Sequence, residues 1–325
     1  MNVQAGIEAT DEAQRCELAA LRSPTEERNP RTMAIDLMSA SEIVETIATE
    51  DHRVAVAVHA AAGRIAALVD AAVQAITGGG KVHYLGAGTS GRIGVLDAVE
   101  LLPTYGVGTE WFRAHLAGGA AAMLEAVEGA EDDPALGAAD LAGLQRQDLV
   151  VGLAASGRTP YVRGALEFAR RIGATTALVT ANPEAELLAL ADIGVVLDTG
   201  PEVITGSTRM KAASAQKMAL NMFSTAAMVR LGKTYSNLMV DVRPTNEKLR
   251  ARALRLLAQA CGASPRECAP ALQEAQGDLP LALLRTLRDH AGIEPQDLAA
   301  DRELLRAHGG VVRRALRATG AELRR

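Results

Sequence analysis

Aromatic side chains make up only 2% of this 325-residue chain. Recognition by stacking on bases or other flat rings needs several such platforms together, so that mode is excluded as a principal one. An excess of positive charge is also missing: 34 Lys and Arg stand against 39 Asp and Glu, a net charge of −5. A nucleic-acid binder would show a basic face, so no nucleic-acid partner is expected. Cysteine is scarce. Cys16, Cys261 and Cys268 are odd in number and scattered, which gives neither a disulfide framework nor zinc spacing. No metal site and a reducing compartment are expected. No run of about 18 uncharged apolar residues occurs, so no membrane span or membrane partner is expected. The opening MNVQAGIEATDEAQRCEL is acidic and lacks an apolar h-region. The expectation is a soluble cytoplasmic protein.

What is present is an ordinary globular balance, 48% hydrophobic and 22% charged, long enough for one large core and a smaller domain. Residues 1–30 are polar and without clear periodicity, and read as an arm ending in SPTEERNPRT. Ser39 and Ser41 are candidate caps for a helix over SEIVETIATED, and one long Ala/Val-rich helical pattern runs from about Val54 to Ile76, stopped by Gly78, Gly79 and Gly80. Five short apolar runs follow, separated by helical patterns: KVHYLG, EWFRAHLAG, DLVVGLAA, TTALVTAN and IGVVLDT. Strands alternating with helices predict an α/β fold, a doubly wound five-stranded parallel sheet covered on both faces. In TRMKAASAQKMALNMFSTAAMVRLG, Met218, Met222, Ala226 and Val229 share one helical face and are read as core. From about Ala263 short helices rich in Ala, Leu and Arg, broken at Gly277, Gly292 and Gly309–Gly310, predict a small all-helical C-terminal domain. The expected division is an N-terminal arm and helix over 1–52, the sheet domain over 53–235 and the helical region over 236–325.

The chemistry concentrates in loops. Gly86, Gly88 and Gly91 have the G-x-G-x-x-G spacing of a dinucleotide turn. Such a site also wants an acid at the end of the second strand, and that strand ends HLAGG, with Glu110 at the opposite end. Thr89 and Ser90 instead place two hydroxyls where a phosphate would lie. A second loop, VVGLAASGRTPYV, carries Ser156 and Thr159 into Pro160, which suits the first position of a helix. Free N–H groups and the helix dipole there favour an anion. Plain N-capping would account for either loop alone; two such loops on successive parallel strands favour a phosphate ligand held by Thr89, Ser90, Ser156 and Thr159. In TGSTRMK, Arg209 and Lys211 sit in a first helical turn, where positive charge opposes the dipole. A bound anion, a partner's carboxylate or simple surface exposure would relieve that. His83 and His115 sit in strands, and His83, alternating with Val82 and Tyr84, is read as structural rather than as a general base.

GAGTSGR together with AASGRT resembles the SIS family of phosphosugar-binding domains. The longer strings YLGAGTSGRIGVLDAVELLPTYG, AVEGAEDD, EVITGSTRMKAASAQKMALNM and NLMVDVRPTNEKL, with the upstream TEERNPRTMAIDLMS, resemble the N-acetylmuramic acid 6-phosphate etherase family over residues 25–320. The resemblance implies cleavage of the lactyl ether of a phosphorylated amino sugar, giving N-acetylglucosamine 6-phosphate and D-lactate in cell-wall sugar recycling. It also implies a homodimer and maps the two catalytic glutamates to Glu100 and Glu131. Glu128 becomes a candidate contact to sugar hydroxyls. One departure stands next to Glu100: VELLP replaces a string of the Ser-Glu-Cys-Pro-Pro type. Two carboxyl groups in different environments can perform this elimination without a metal or organic cofactor. Glu100 lies ten residues beyond Ser90, about 15 Å along a helix, so either the helix breaks early or Glu100 serves a site formed with a second chain. An aldose–ketose phosphosugar isomerase and a non-catalytic sugar-phosphate sensor remain as rival readings.

Overall fold

The computed structural model describes residues 23–241, 247–293 and 297–320. Cys16, residues 1–22 of the expected arm and part of the VRPTNE string lie outside the described residues. Five parallel strands form one sheet in the order β2-β1-β3-β4-β5: β1 Val82–Gly86, β2 Phe112–Leu116, β3 Leu149–Leu153, β4 Thr175–Thr180 and β5 Ile193–Val196. All five predicted runs are strands of this sheet. The central β1 and β3 are buried at every residue, as a parallel sheet covered on both faces requires. One face carries Tyr84, Phe112 and Phe223 with ring centroids 5.8–6.2 Å apart, so three of the few aromatics gather in one cluster. The other face packs Leu85, Val150 and Leu178 against Tyr161, Val162 and Leu166.

Several helices start at a side-chain cap. Helix α1, Ala40–Ala60, opens on Ser39 in a reciprocal capping box with Glu42. The expected continuous helix from Val54 to Ile76 is two helices instead: α1 ends at Ala60 and α2 runs Ala62–Thr77, bent by 55°. Ala61 has φ −85° and ψ 0°, outside helical geometry; the nearest glycine, Gly63, already lies in the first turn of α2, and the apolar periodicity continues across the break. Helix α3, Gly88–Tyr105, follows β1; α4, Pro134–Ala139, and α5, Pro160–Ile172, flank β3; α6, Lys211–Arg230, follows β5. Beyond a two-residue hairpin (β6 Thr234–Tyr235, β7 Leu238–Met239) come α7 Glu247–Cys261, α8 Pro265–Glu274, α9 Leu279–His290, α10 Leu298–Ala307 and α11 Val312–Ala318. Ser264, Asp278 and Asp297 cap α8, α9 and α10, and the glycines at 277, 292, 309 and 310 fall between helices.

The chain divides into two compact units, residues 1–98 with 109–223 and residues 99–108 with 224–325. The second unit has its own core, in which Leu257, Cys268, Leu281, Leu284, Leu305 and Leu316 meet. Two further expectations are corrected. The Met218, Met222 and Val229 face of α6 is exposed rather than core, at 37%, 41% and 49%; the buried face is Ala215, Ala219, Leu220, Phe223, Ala227 and Met228. Both faces are apolar, so periodicity could not choose between them. The described end of the arm, from Ser23 onward, is not a loose extended segment: Ser23, Thr25, Asn29 and Thr32 are buried, Thr32 donates to the Val203 carbonyl and the Gly206 N–H bonds the Thr25 carbonyl.

Candidate active site

The glycine spacing of the first loop is explained by backbone packing. A Cβ on Gly86 would lie 2.8 Å from the Gly91 nitrogen, and one on Gly94 would lie 2.7 Å from Leu153 Cδ1. The strand therefore turns directly into the helix, glycine against glycine, and the helix lies close on the sheet. Gly91 N–H makes the first helical bond, to Ala87 O at 3.1 Å; the N–H groups of Gly88, Thr89 and Ser90 precede it and lack intrahelical acceptors. Gln216, buried on α6, donates to the Ser90 carbonyl at 2.9 Å and fixes this turn. The second strand ends Leu116-Ala117-Gly118 with no acid, so the dinucleotide reading has no ribose carboxylate at the expected place.

The second loop leaves β3 and enters α5 through Thr159, the N-cap residue, with Pro160 at the first helical position. The Thr159 side chain makes no capping bond, so the plain-cap explanation fails for it. The loop is held from behind: Asn182, fully buried, donates to the Ser156 carbonyl at 3.0 Å, and Thr180 donates to the Ala155 carbonyl at 3.1 Å. Gly157 has φ +70°, and its α-hydrogens face Ala185 and Thr180. Arg158 Nε is 3.3 Å from the Glu186 carboxylate, which answers its charge. Gly86 and Leu153 are register partners, so both loops emerge side by side at the carboxyl edge, where β1 is flanked by β2 on one side and β3 on the other. That switch point is where open α/β sheets bind ligands. Thr89, Ser90, Ser156 and Thr159 are all partly exposed there.

The third anion clue dissolves. At the start of α6, Glu202 accepts from the Lys211 and Ala212 N–H groups at 3.0 and 2.9 Å. Lys211 is 0% exposed, and its ammonium donates to Glu50 and to the Pro201 carbonyl, both at 2.7 Å. Glu50 also accepts from Asn29 and from Arg31. The protein's own carboxylates answer the charge conflict; surface exposure holds only for Arg209. The Arg31 and Lys211 bonds hold the Glu50 carboxyl below its ordinary value, against the opposing effect of burial, whereas burial pushes Glu202 up.

Glu128 and Glu131 lie on the loop after β2, both exposed, Glu131 in a 3-10 turn over Ala130–Asp132. Glu100 is exposed on α3. That helix is unbroken from Gly88 to Tyr105, so of the two explanations for its distance from Ser90 the early break is removed. Pro103 lies inside its last turn, and the Thr104 hydroxyl donates to the Glu100 carbonyl at 2.7 Å.

His83 and His115 stack at 5.3 Å and share a hydrogen bond of 3.1 Å, with Asp148 3.6 Å from His83. Burial, then the neighbouring His115, push His83 down to about 4. His83 is the second residue of β1, so its ring sits toward the amino end of the strand, away from the loop that follows Gly86. Among the described residues no group of three His, Cys, Asp or Glu side chains is placed to share a metal ion. Sequence reasoning missed Asp97, which is buried and bonded to Tyr84 and Asn221, both at 2.9 Å. A charge in line with buried Gly94, Ala98 and Leu101 was the available signal.

Family models describe the same ground. One for the SIS domain matches residues 123–226, and one for the glucokinase regulatory protein N-terminal SIS domain matches residues 41–170. The N-acetylmuramic acid 6-phosphate etherase of Brucella anthropi is 48% identical over 314 residues, covering 96% of this chain and 100% of that protein. That of Thermobifida fusca is 52% identical over 264 residues, covering 81% and 87%. A solved phosphoheptose isomerase from Francisella tularensis aligns over 58% of this chain and 98% of its own at 19% identity, with a TM-score of 0.46.

Proposed function

The chain belongs to the N-acetylmuramic acid 6-phosphate etherase family, and from that membership we propose how its residues divide the work. The enzyme cleaves the D-lactyl ether of N-acetylmuramic acid 6-phosphate to N-acetylglucosamine 6-phosphate and D-lactate. The observation that supports a phosphosugar at this site is the pair of Ser/Thr loops at the β1/β3 switch point, with a helix start in each. Thr89, Ser90, Ser156 and Thr159 hold the phosphate with the backbone N–H groups.

The reaction is an elimination followed by addition of water, which makes the enzyme a carbon–oxygen lyase. In the open-chain aldehyde the carbonyl acidifies the C2 proton. Glu131 takes that proton, the C2–C3 double bond forms as the C3–O bond breaks, and Glu100 gives a proton to the departing lactate oxygen. Water then adds at C3 with Glu100 as base, and Glu131 returns a proton to C2. Glu128 contacts the sugar hydroxyls.

Glu100 serves a site completed by a second copy of the chain. The unbroken helix carries it about 15 Å past Ser90, farther than the phosphosugar reaches. The same helix exposes Leu96, Val99 and Leu102 at 49%, 62% and 59%, apolar side chains beside Glu100 that a partner would cover. The departure VELLP supplies two of them. The site thereby gains a carboxyl group in a drier setting than the isolated chain provides. A cytoplasmic homodimer acting in cell-wall sugar recycling follows from this reading.

The direct test is incubation with N-acetylmuramic acid 6-phosphate and an assay for D-lactate. Release confirms the etherase; aldose–ketose conversion without lactate would mark the isomerase, and binding without turnover the sensor.

A further inference from the structure

The loop that carries Glu128 has little to hold it up to Gly129; Glu131 follows in the 3-10 turn Ala130–Asp132, whose Ala130 packs against the core. From Gly119 to Gly129 every residue except Ala122 is exposed, and Leu124 is 92% exposed. Glycines with φ +83°, +68° and +75° stand at 118, 119 and 129, at the two ends of the segment. Two things fix its path. A Cβ on Gly118 would lie 2.9 Å from Val127 Cβ, so the segment folds back on its own root. Arg92 reaches across from the first turns of α3: its Nε donates to the Ala122 carbonyl at 2.8 Å and its Nη2 to the Glu125 carbonyl at 3.1 Å.

The Ala122 carbonyl belongs to the short 3-10 turn Gly119–Met123 and the Glu125 carbonyl to the residues just past its C-cap, Leu124; carbonyls at such an end lack intrahelical donors. A guanidinium with donors in a fixed fork answers two of them at once. Arg92 is two residues beyond Ser90 on the same helix start. One rigid turn therefore carries the hydroxyl that faces the phosphate and the side chain that holds the carboxylate loop.

We propose that Arg92 is a positioning residue that sets the distance between the phosphate cradle and Glu131, through the carbonyls of Ala122 and Glu125. It touches neither the phosphate nor the reacting atoms. A phosphosugar is a ruler of fixed length from its phosphate to C2, so the base must stand at a matching distance. Without Arg92 the phosphate site keeps its Gln216 and Asn182 supports, and only the base loses its register.

This inference rests on the assignment of Glu131 given above. The test is steady-state lactate release by Arg92→Ala, Arg92→Gln and Arg92→Lys in the full-length protein, with a melting curve for each. Misplacing a catalytic group by about 1 Å can slow a reaction on the order of 100-fold. Arg92→Ala is expected to lower kcat about 10- to 100-fold with KM held within about threefold. Arg92→Lys and Arg92→Gln, each able to reach one carbonyl, are expected to fall between. An unchanged kcat in Arg92→Ala overturns the proposal. So does a raised KM at unchanged kcat, which would place Arg92 on the substrate. Glu131→Gln, measured beside them, separates the two readings. Retained turnover there removes the Glu131 assignment; loss there with normal turnover in Arg92→Ala removes only the role of Arg92.

Discussion

Glu50→Gln nearly preserves shape and removes one charge from a carboxylate bonded by Asn29, Arg31 and Lys211. Lys211, 0% exposed, then keeps its ammonium against the Pro201 carbonyl and an amide oxygen alone. Breaking a buried pair by neutralising one partner costs about 3–5 kcal/mol, because the other charge stays buried. For a unit of this size the melting temperature falls by about 2–4 °C per kcal/mol, so a drop on the order of 10 °C is expected. Lys211→Met is expected to be milder, about 1–3 kcal/mol, since Arg31 and Asn29 still serve Glu50. The double variant should then be less damaging than the sum by at least about 1 kcal/mol. Urea unfolding at neutral pH, followed by far-UV circular dichroism, measures the cycle. A loss below about 1 kcal/mol for Glu50→Gln with no coupling to Lys211→Met would refute the clamp. The Glu50 carboxyl is held below its ordinary value of 4.5. Its stabilisation is therefore complete above that pH and fades as pH falls below it, and Glu50→Gln should lack that acid limb.

Ser156→Ala removes a hydroxyl from the phosphate cradle, and at about 1.5–3 kcal/mol per charge-assisted bond its KM should rise roughly tenfold or more; unchanged binding of substrate or inorganic phosphate after alanine replaces both Ser90 and Ser156 would move the site elsewhere. His83 titrates near 4 in the fold and near 6.5 when free. The unfolded chain takes up that proton first, so stability is full above pH 6.5 and declines as pH falls toward 4, by up to about 3 kcal/mol. In His83→Gln the decline should flatten, and an unchanged pH profile would contradict this reading of the His83–His115 pair. Mixing Glu100→Gln chains with Glu131→Gln chains should restore about a quarter of parental activity if each site draws Glu100 from the partner, since half of randomly paired dimers then hold one intact site. No restoration would mean each chain serves itself.

What could be read in advance follows the physics of each element. The strands and both Ser/Thr loops were legible because buried parallel strands are continuous apolar runs and tight turns demand glycine at fixed positions, as Gly86 and Gly91 show. The break at Ala61 was not, because the residue that leaves helical geometry is an alanine and the nearby Gly63 sits inside the next helix rather than at the break. The orientation of α6 was hidden by two apolar faces, one of which, with Met218 and Met222, stays exposed. Long-range polar bonds were the least legible. Nothing local tells that Arg31 and Lys211 meet at Glu50, or that Arg92 reaches the Ala122 carbonyl. Lys211 looked like a misplaced charge in a first helical turn, and the conflict was a true sign of a carboxylate, though of the protein's own.

The central claim is that Glu131 works at C2 and Glu100 at the C3 oxygen. General acid–base groups contribute about 100- to 10,000-fold each, so both Gln variants should be slow in lactate release while melting normally. In deuterated solvent they should part. Glu100→Gln retains a base at C2 and should exchange that proton with solvent while releasing almost no lactate; Glu131→Gln should lose exchange and release together. Exchange lost in Glu100→Gln and kept in Glu131→Gln would reverse the two roles, and near-parental lactate release in either variant would remove that glutamate from the chemistry.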